Sequence, residues 1–318
     1  MSMDGRTVVA ISLIVLVAGV GGGFVLASSL TPAKETPSKL VIAIQPTEAA
    51  SEIAPRAKQL EEFLEARVGV DVEIYVPTSY AAVVEAIRFG NADVAFMSAW
   101  PSYLANRLAG AEVLLAEVRE VTIDLEKRNE PFYFSYWVVP KNSPVSSLDE
   151  LRGAKACFPS PISTSGYVFP VAKMVELGLI PRPGNGEADP RAFFGEVVYA
   201  GGYGQCWASL KAEQVDVSII AGDVSEKLYN EVRANTKVLQ EQGPVPSHAV
   251  VFGPGLREPM KSKLIDALLE SDDTALRDTM RKLVSGIFVS FKATTTAEHI
   301  AGLQKALELT NLKFTERL

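Results

Sequence analysis

Ser163-Thr164-Ser165-Gly166-Tyr167 gathers three hydroxyl side chains and a glycine in one short stretch. It follows an apolar run at 154–158 and the breaker Pro159-Ser160-Pro161, and it opens a helical pattern at 167–177. The chemistry available to such a stretch is the holding of an anion. The first N–H groups of a helix lack internal partners, the helix dipole adds positive potential, and hydroxyls supply further donors to oxyanion oxygens. The plainer reading is that Ser163 caps the helix, as serine ordinarily does.

The elements around this stretch alternate. Strand-like runs at 39–44, 70–76 and 94–97 are separated by helical spacings at 53–68 and 80–89. After a charged segment at 118–130, a second group begins with the aromatic strand 132–140. It continues through a capped turn at 147–151, strand 154–158, the helix after the hydroxyl loop, strand 197–200, helix 205–213 and strand 215–220. The pattern predicts an α/β fold with mostly parallel sheets in two similar lobes. The runs 132–138 and 245–251 read as crossovers between the lobes, with 244–252 strand-like throughout. Helical patterns at 257–271, 274–286 and 296–309 are expected to return to the first lobe.

Ligands of open α/β sheets bind beyond the carboxyl ends of the strands. In the first lobe those ends carry the loops Gln45-Pro46-Thr47-Glu48, Pro77-Thr78-Ser79-Tyr80 and Ser98-Ala99-Trp100-Pro101-Ser102-Tyr103. In the second they carry the hydroxyl loop, Gly201-Gly202-Tyr203 and Ala221-Gly222-Asp223. Any one of these is an ordinary capped turn; their agreement in position points to a small polar guest held between the lobes.

Residues 7–33 carry no charge, and the apolar part, 8–30, is long enough to cross ~30 Å of hydrocarbon as a helix. It reads as a membrane anchor or an export signal. Arg6 before it favours a cytoplasmic N-terminus, and the body then lies outside the cytoplasm. Its length leans toward a retained anchor, whereas Ala27-Ser28-Ser29 offers small residues for cleavage and a secreted product. Residues 31–38 are a linker with two prolines, one lysine and little apolar content. The net charge of −7 comes with no basic block, which argues against nucleic acid. The two cysteines, Cys157 and Cys206, permit a disulfide in an exported protein or remain as two buried thiols. Two histidines and two cysteines without ligand spacing argue against zinc. No nucleophile elbow, Walker loop or dinucleotide fingerprint is present, so the chain does not read as an enzyme, and no cofactor is implied.

From Lys39 to the last helix the chain resembles the substrate-binding proteins of phosphate, phosphite and phosphonate ABC importers. The residues that carry the likeness are 40–46, Leu60-Glu61-Glu62-Phe63-Leu64, Thr78-Ser79-Tyr80 with Val84-Glu85-Ala86, Gly90-Asn91-Ala92-Asp93-Val94-Ala95, the Ser163 to Tyr167 loop and Pro170. The resemblance implies the two-lobed type II periplasmic-binding-protein-like fold behind an N-terminal transmembrane or signal helix. On that reading residues 1–30 are the anchor or signal, 31–38 the linker, 39–131 plus 246–318 lobe 1 and 132–245 lobe 2. It implies that Ser163, Thr164 and Ser165 hold phosphoryl oxygens and that Tyr80 and Tyr103 close over them. A phosphorus oxyanion is then trapped by hinge closure and passed to an ABC permease with its ATPase.

Three departures bear on the ligand. Tyr203 stands where the family usually has a histidine, and Pro246-Ser247-His248 replaces a segment that often carries a carboxylate. Asp223 falls where aminoalkylphosphonate binders keep an acid. One acid in place of two makes a simple or differently substituted anion more plausible than a zwitterion, and His248 is a further candidate donor. Besides the importer component, the chain is compatible with a membrane-anchored sensing module or, less so, with an enzyme acting on a phosphorylated small molecule.

Overall fold

The computed structural model describes residues 39–47, 50–123, 126–222, 224–270 and 274–313. The apolar N-terminal segment, the linker and Asp223 lie outside the described residues, and no helix among those described is long and apolar enough to cross a membrane.

The chain forms two sheets. The first contains β1 (Lys39–Ile44), β2 (Asp71–Tyr75), β3 (Val94–Met97), β4 (Glu112–Ile123), β5 (Glu126–Glu130), β11 (Ala249–Phe252) and β12 (Phe288–Ala293), in the order β12-β4-β11-β3-β1-β2 with β5 also on β4. The second contains β6 (Phe132–Pro140), β7 (Lys155–Phe158), β8 (Glu196–Tyr199), β9 (Val217–Ala221) and β10 (Thr236–Pro246), in the order β10-β6-β9-β7-β8. β1 lies parallel to β2 and β3, and β7 parallel to β8 and β9. The central strands β3 (VAFM) and β9 (VSIIA) are buried at every position, as expected where both faces of a sheet are covered. Each has one parallel and one antiparallel neighbour, so the sheets are mixed and not mostly parallel as the alternation of strands and helices predicts, because the returning strands β4, β6, β10, β11 and β12 pair antiparallel. Helices α1 (Ala50–Val68), α2 (Tyr80–Arg88), α3 (Ala99–Ala109), α4 (Phe169–Glu176), α5 (Tyr203–Lys211), α6 (Glu226–Asn235), α7 (Met260–Leu269), α8 (Thr274–Leu283) and α9 (Thr296–Thr310) cover these sheets. The described residues pack as one compact unit.

Four local expectations are corrected. Residues 98–103, read as a loop, are the start of α3: Ser98 takes the cap position, and Pro101 falls in the first turn, where its missing N–H leaves no bond unmade. The charged segment 118–130 is a hairpin, β4 paired antiparallel with β5. Residues 244–252 are not one strand; the chain leaves the second sheet at Pro246, turns through Ser247 and His248, and joins the first sheet at Ala249. The helix after the hydroxyl loop starts at Thr164, with a π-type first turn in which Val168 N–H reaches Ser163 O at 3.0 Å.

The last helix does more than return to the first sheet. α9 packs on α3 and β4 and also on α4 and β10. Its end is bonded to the second-sheet half: Ala188 N–H donates to Thr310 O at 2.8 Å, Asn311 Nδ2 to Gly186 O at 2.5 Å, and Lys313 N–H to a Glu187 carboxylate oxygen at 2.8 Å.

Candidate functional site

The hydroxyl loop is built by the end of β7. Pro159 O accepts from Gly201 N–H at 2.9 Å and Ser160 O accepts from Ser163 N–H at 3.0 Å, folding the loop back over the sheet edge. Gly166 is required here. A Cβ on it would stand 2.1 Å from Pro159 Cγ and 2.7 Å from Ser163 Oγ. π-type turns recur at functional sites because they aim side chains that a regular helix would not.

Each hydroxyl of the loop has a different partner. Ser163 Oγ accepts from Gly166 N–H at 3.0 Å, the capping role that the plainer reading assigns it. Thr164 Oγ1 accepts from Trp100 N–H at 2.7 Å, a bond between the two sheets' halves. Ser165 Oγ accepts from Tyr133 OH at 2.7 Å and is 2.6 Å from Tyr203 OH. All three side chains are at most 1% exposed. A hydroxyl that accepts from an N–H keeps its own proton for donation, and that donation is strengthened by the bond received. Ser163 and Thr164 therefore cap N–H groups and each keep a hydroxyl proton to give.

Helix ends supply the electrostatics. The Trp100 amide belongs to the unpaired first turn of α3, so the positive end of that helix meets the π-turn that begins α4. The first amides of α5, Tyr203 N–H and Gly204 N–H, reach across to Thr47 O at 3.0 and 3.3 Å. Cys157 on β7 and Cys206 on α5 form a disulfide with Cα atoms 5.6 Å apart, joining the strand that feeds the loop to the helix that carries Tyr203.

The sequence-derived residues do not all meet. Ser163, Thr164, Ser165 and Tyr203 form one buried hydroxyl cluster. Tyr80 is buried at the first position of α2, in the same apolar cluster as Trp100 and Ile162. Tyr103 stands one layer back, its ring stacked on Trp100 at 5.2 Å. His248 lies at the turn between the sheets, where its carbonyl accepts from Glu117 N–H at 2.9 Å.

Tyr133 was not a candidate from sequence. Its role follows from the alternation in β6, which sends Tyr133, Ser135 and Trp137 inward. The Arg119 guanidinium lies 4.4 Å over the Tyr133 ring and pairs with Glu117 at 2.7 Å, both side chains fully buried. A cation paired with Glu117 is thus held behind the hydroxyl cluster.

His299 on α9 faces the same polar patch. Burial holds its imidazole down to about 4, and the neighbouring His248 and Arg119 push in the same direction. The unfolded chain binds a proton there below about pH 6.5, which the folded chain refuses until about pH 4. Stability is therefore expected to fall as pH drops through that window, by about 3 kcal/mol in all. His299→Gln should flatten this part of the melting temperature against pH between 7.5 and 4; an unaltered slope would assign the acid loss to other groups.

This arrangement, two α/β halves joined across a buried cluster of hydroxyls, is the fold of periplasmic-type binding proteins. A crystal structure of a binding protein component of an ABC phosphonate transporter from Pseudomonas aeruginosa has the same fold, with a TM-score of 0.71 at 20% identity over 85% of each chain. The chain belongs to the family described as ABC transporter, phosphonate, periplasmic substrate-binding protein, whose model matches residues 42–298. It is 31% identical over 176 residues to the phosphate-import protein PhnD of Mycolicibacterium smegmatis, which covers 54% of this chain and 52% of that protein. The chain thus matches about half the length of that relative. It is also 25% identical over 260 residues to the phosphonates-binding periplasmic protein of Escherichia coli, covering 79% of this chain and 72% of that one. The family is one of extracytoplasmic substrate-binding components rather than enzymes.

Proposed function

We propose that this chain is the receptor of an ABC importer that captures a phosphorus oxyanion, such as a phosphonate, phosphite or phosphate, and hands it to a permease driven by its ATPase. The observation that carries the reading is the buried π-turn in which Ser163 and Thr164 each accept an N–H and retain a hydroxyl proton. Charge-assisted hydrogen bonds from such donors are stronger than neutral ones, and two helix N-termini add to them. Both relatives are named for phosphate or phosphonates, which supports the same ligand class.

In this reading residues 39–131 plus 246–318 and residues 132–245 act as the two lobes, bending where the chain crosses at Pro131 and Ser247. Ser247 N–H bonds to Pro131 O at 3.1 Å, so the two crossings move together. Tyr80 and Tyr203 face the guest, with Tyr103 stacked on Trp100 behind them. Asp223 and His248 are the positions that would distinguish one substituent from another. The apolar segment 8–30 keeps the receptor at the outer face of the membrane.

Calorimetry against phosphate, phosphite, methylphosphonate, 2-aminoethylphosphonate and sulfate tests the reading, which fails if none of the phosphorus compounds binds. Ser163→Ala and Thr164→Ala are each expected to weaken binding by about 1–3 kcal/mol, the cost of leaving a ligand oxygen unmatched. Equal titrations for wild type and both variants would remove the loop from the site.

A further inference from the structure

We infer that Gln45 and Trp100 complete the anion site from the first sheet's side, as donor-only groups that accept no ammonium. The inference rests on the receptor reading and extends it to two residues and a ligand preference.

Gln45 extends the β1–β3 ladder by one rung, its N–H donating to Phe96 O at 3.0 Å. Its side-chain oxygen Oε1 accepts from both Ser98 N–H and Ser98 Oγ, each at 3.1 Å. That pairing fixes the amide, because the reversed orientation would set an NH2 group against a backbone N–H. Nε2 must then point away from Ser98, and it is buried with no hydrogen-bond partner. Two residues beyond Ser98, Trp100 is held by its backbone bond to Thr164 Oγ1 and by its stack on Tyr103. Its indole Nε1–H is likewise buried without a partner. The two side chains are 2% and 1% exposed.

A buried N–H without an acceptor costs about 1–3 kcal/mol, so two of them on either side of Ser98 need an explanation. The Trp100 backbone is bonded to the hydroxyl loop at Thr164, and Gln45 is fastened to the same segment through Ser98. Neither an amide NH2 nor an indole N–H can accept a hydrogen bond. Their complement is an acceptor without protons, such as the ionised oxygens of a phosphonate or phosphate. An ammonium substituent would meet two donors on this side and be turned away from it.

The test uses Trp100→Phe, which keeps the stack and loses the N–H, and Gln45→Glu, which keeps the acceptor for Ser98 and replaces NH2 by an oxygen. Titrated with methylphosphonate at pH 7.5, Trp100→Phe is expected to bind about tenfold more weakly and Gln45→Glu at least about a hundredfold more weakly. The melting temperature without ligand should stay level or rise in Trp100→Phe, since an unpaired donor is removed; a structural role would lower it. In the wild type, the indole N–H resonance that is missing from Trp100→Phe should shift when methylphosphonate is added. If the wild type binds and both variants titrate within twofold of it, the inference is overturned while the receptor reading stands. Loss in one variant alone removes the other residue from the site and overturns the paired assignment. A wild type that binds no phosphorus oxyanion overturns both.

Discussion

Reduction of the Cys157–Cys206 disulfide is expected to lower the unfolding free energy by about 4 kcal/mol, the chain-entropy value for a closed loop of this length. The bonded cysteines are 49 residues apart, and that segment contains the hydroxyl loop, α4, β8 and the start of α5. Urea melts with and without a reductant measure the effect, with Cys157→Ala/Cys206→Ala as the matching variant. The same treatment should weaken ligand binding. Tyr203 OH reaches Ser165 Oγ from a helix whose position relative to β7 is set by this bond. A reduced protein that melts and titrates like the oxidised one would show that core packing alone holds the two elements.

Gly166→Ala is expected to be the most damaging single methyl in the loop. The added carbon would have to displace the Pro159 ring, which is anchored by the bond from Gly201 N–H to Pro159 O, and would crowd Ser163 Oγ out of its cap. Overpacking a site with so little slack costs about 3 kcal/mol. The same shift removes two of the loop's donors from their positions, so affinity for methylphosphonate should fall by at least about a hundredfold, twice the loss of a single donor in kcal/mol. Thermal melts and calorimetry on one preparation separate the two losses. A variant with unchanged affinity would mean that the π-turn can relax without moving its hydroxyls.

The strands and most helices were legible because their signals are local. Residues 94–97 are uniformly apolar, and 80–89 repeat with helical spacing, so each announces its element without help from the rest. The hydroxyl loop was legible for the same reason, being flanked by a strand signal and a helix signal. Residues 98–103 were misread because Pro101 looks like a breaker until its first-turn position is known. The β4–β5 hairpin was missed because β5 (EKRNE) is exposed along nearly its whole length and has no apolar alternation to detect. The break at Ser247 is set from outside the segment. Its N–H bonds to Pro131 O and its Oγ to Glu117 O at 2.5 Å, partners more than a hundred residues away in sequence. Tyr133 and Trp100 are bonded to the hydroxyl loop for a similar reason: their neighbours are decided by how the two sheets meet, which no periodicity encodes.

The bonds that the end of α9 makes to Gly186, Glu187 and Ala188 give the two halves an attachment away from the paired crossings. Bodies pinned off their hinge line do not swing like a door on one edge; that pin has to unfasten first. The rate at which cargo leaves would then be governed partly at the tail of the polypeptide, apart from the groups that recognise it. Changing that fastening offers a way to alter residence time while leaving selectivity as it is.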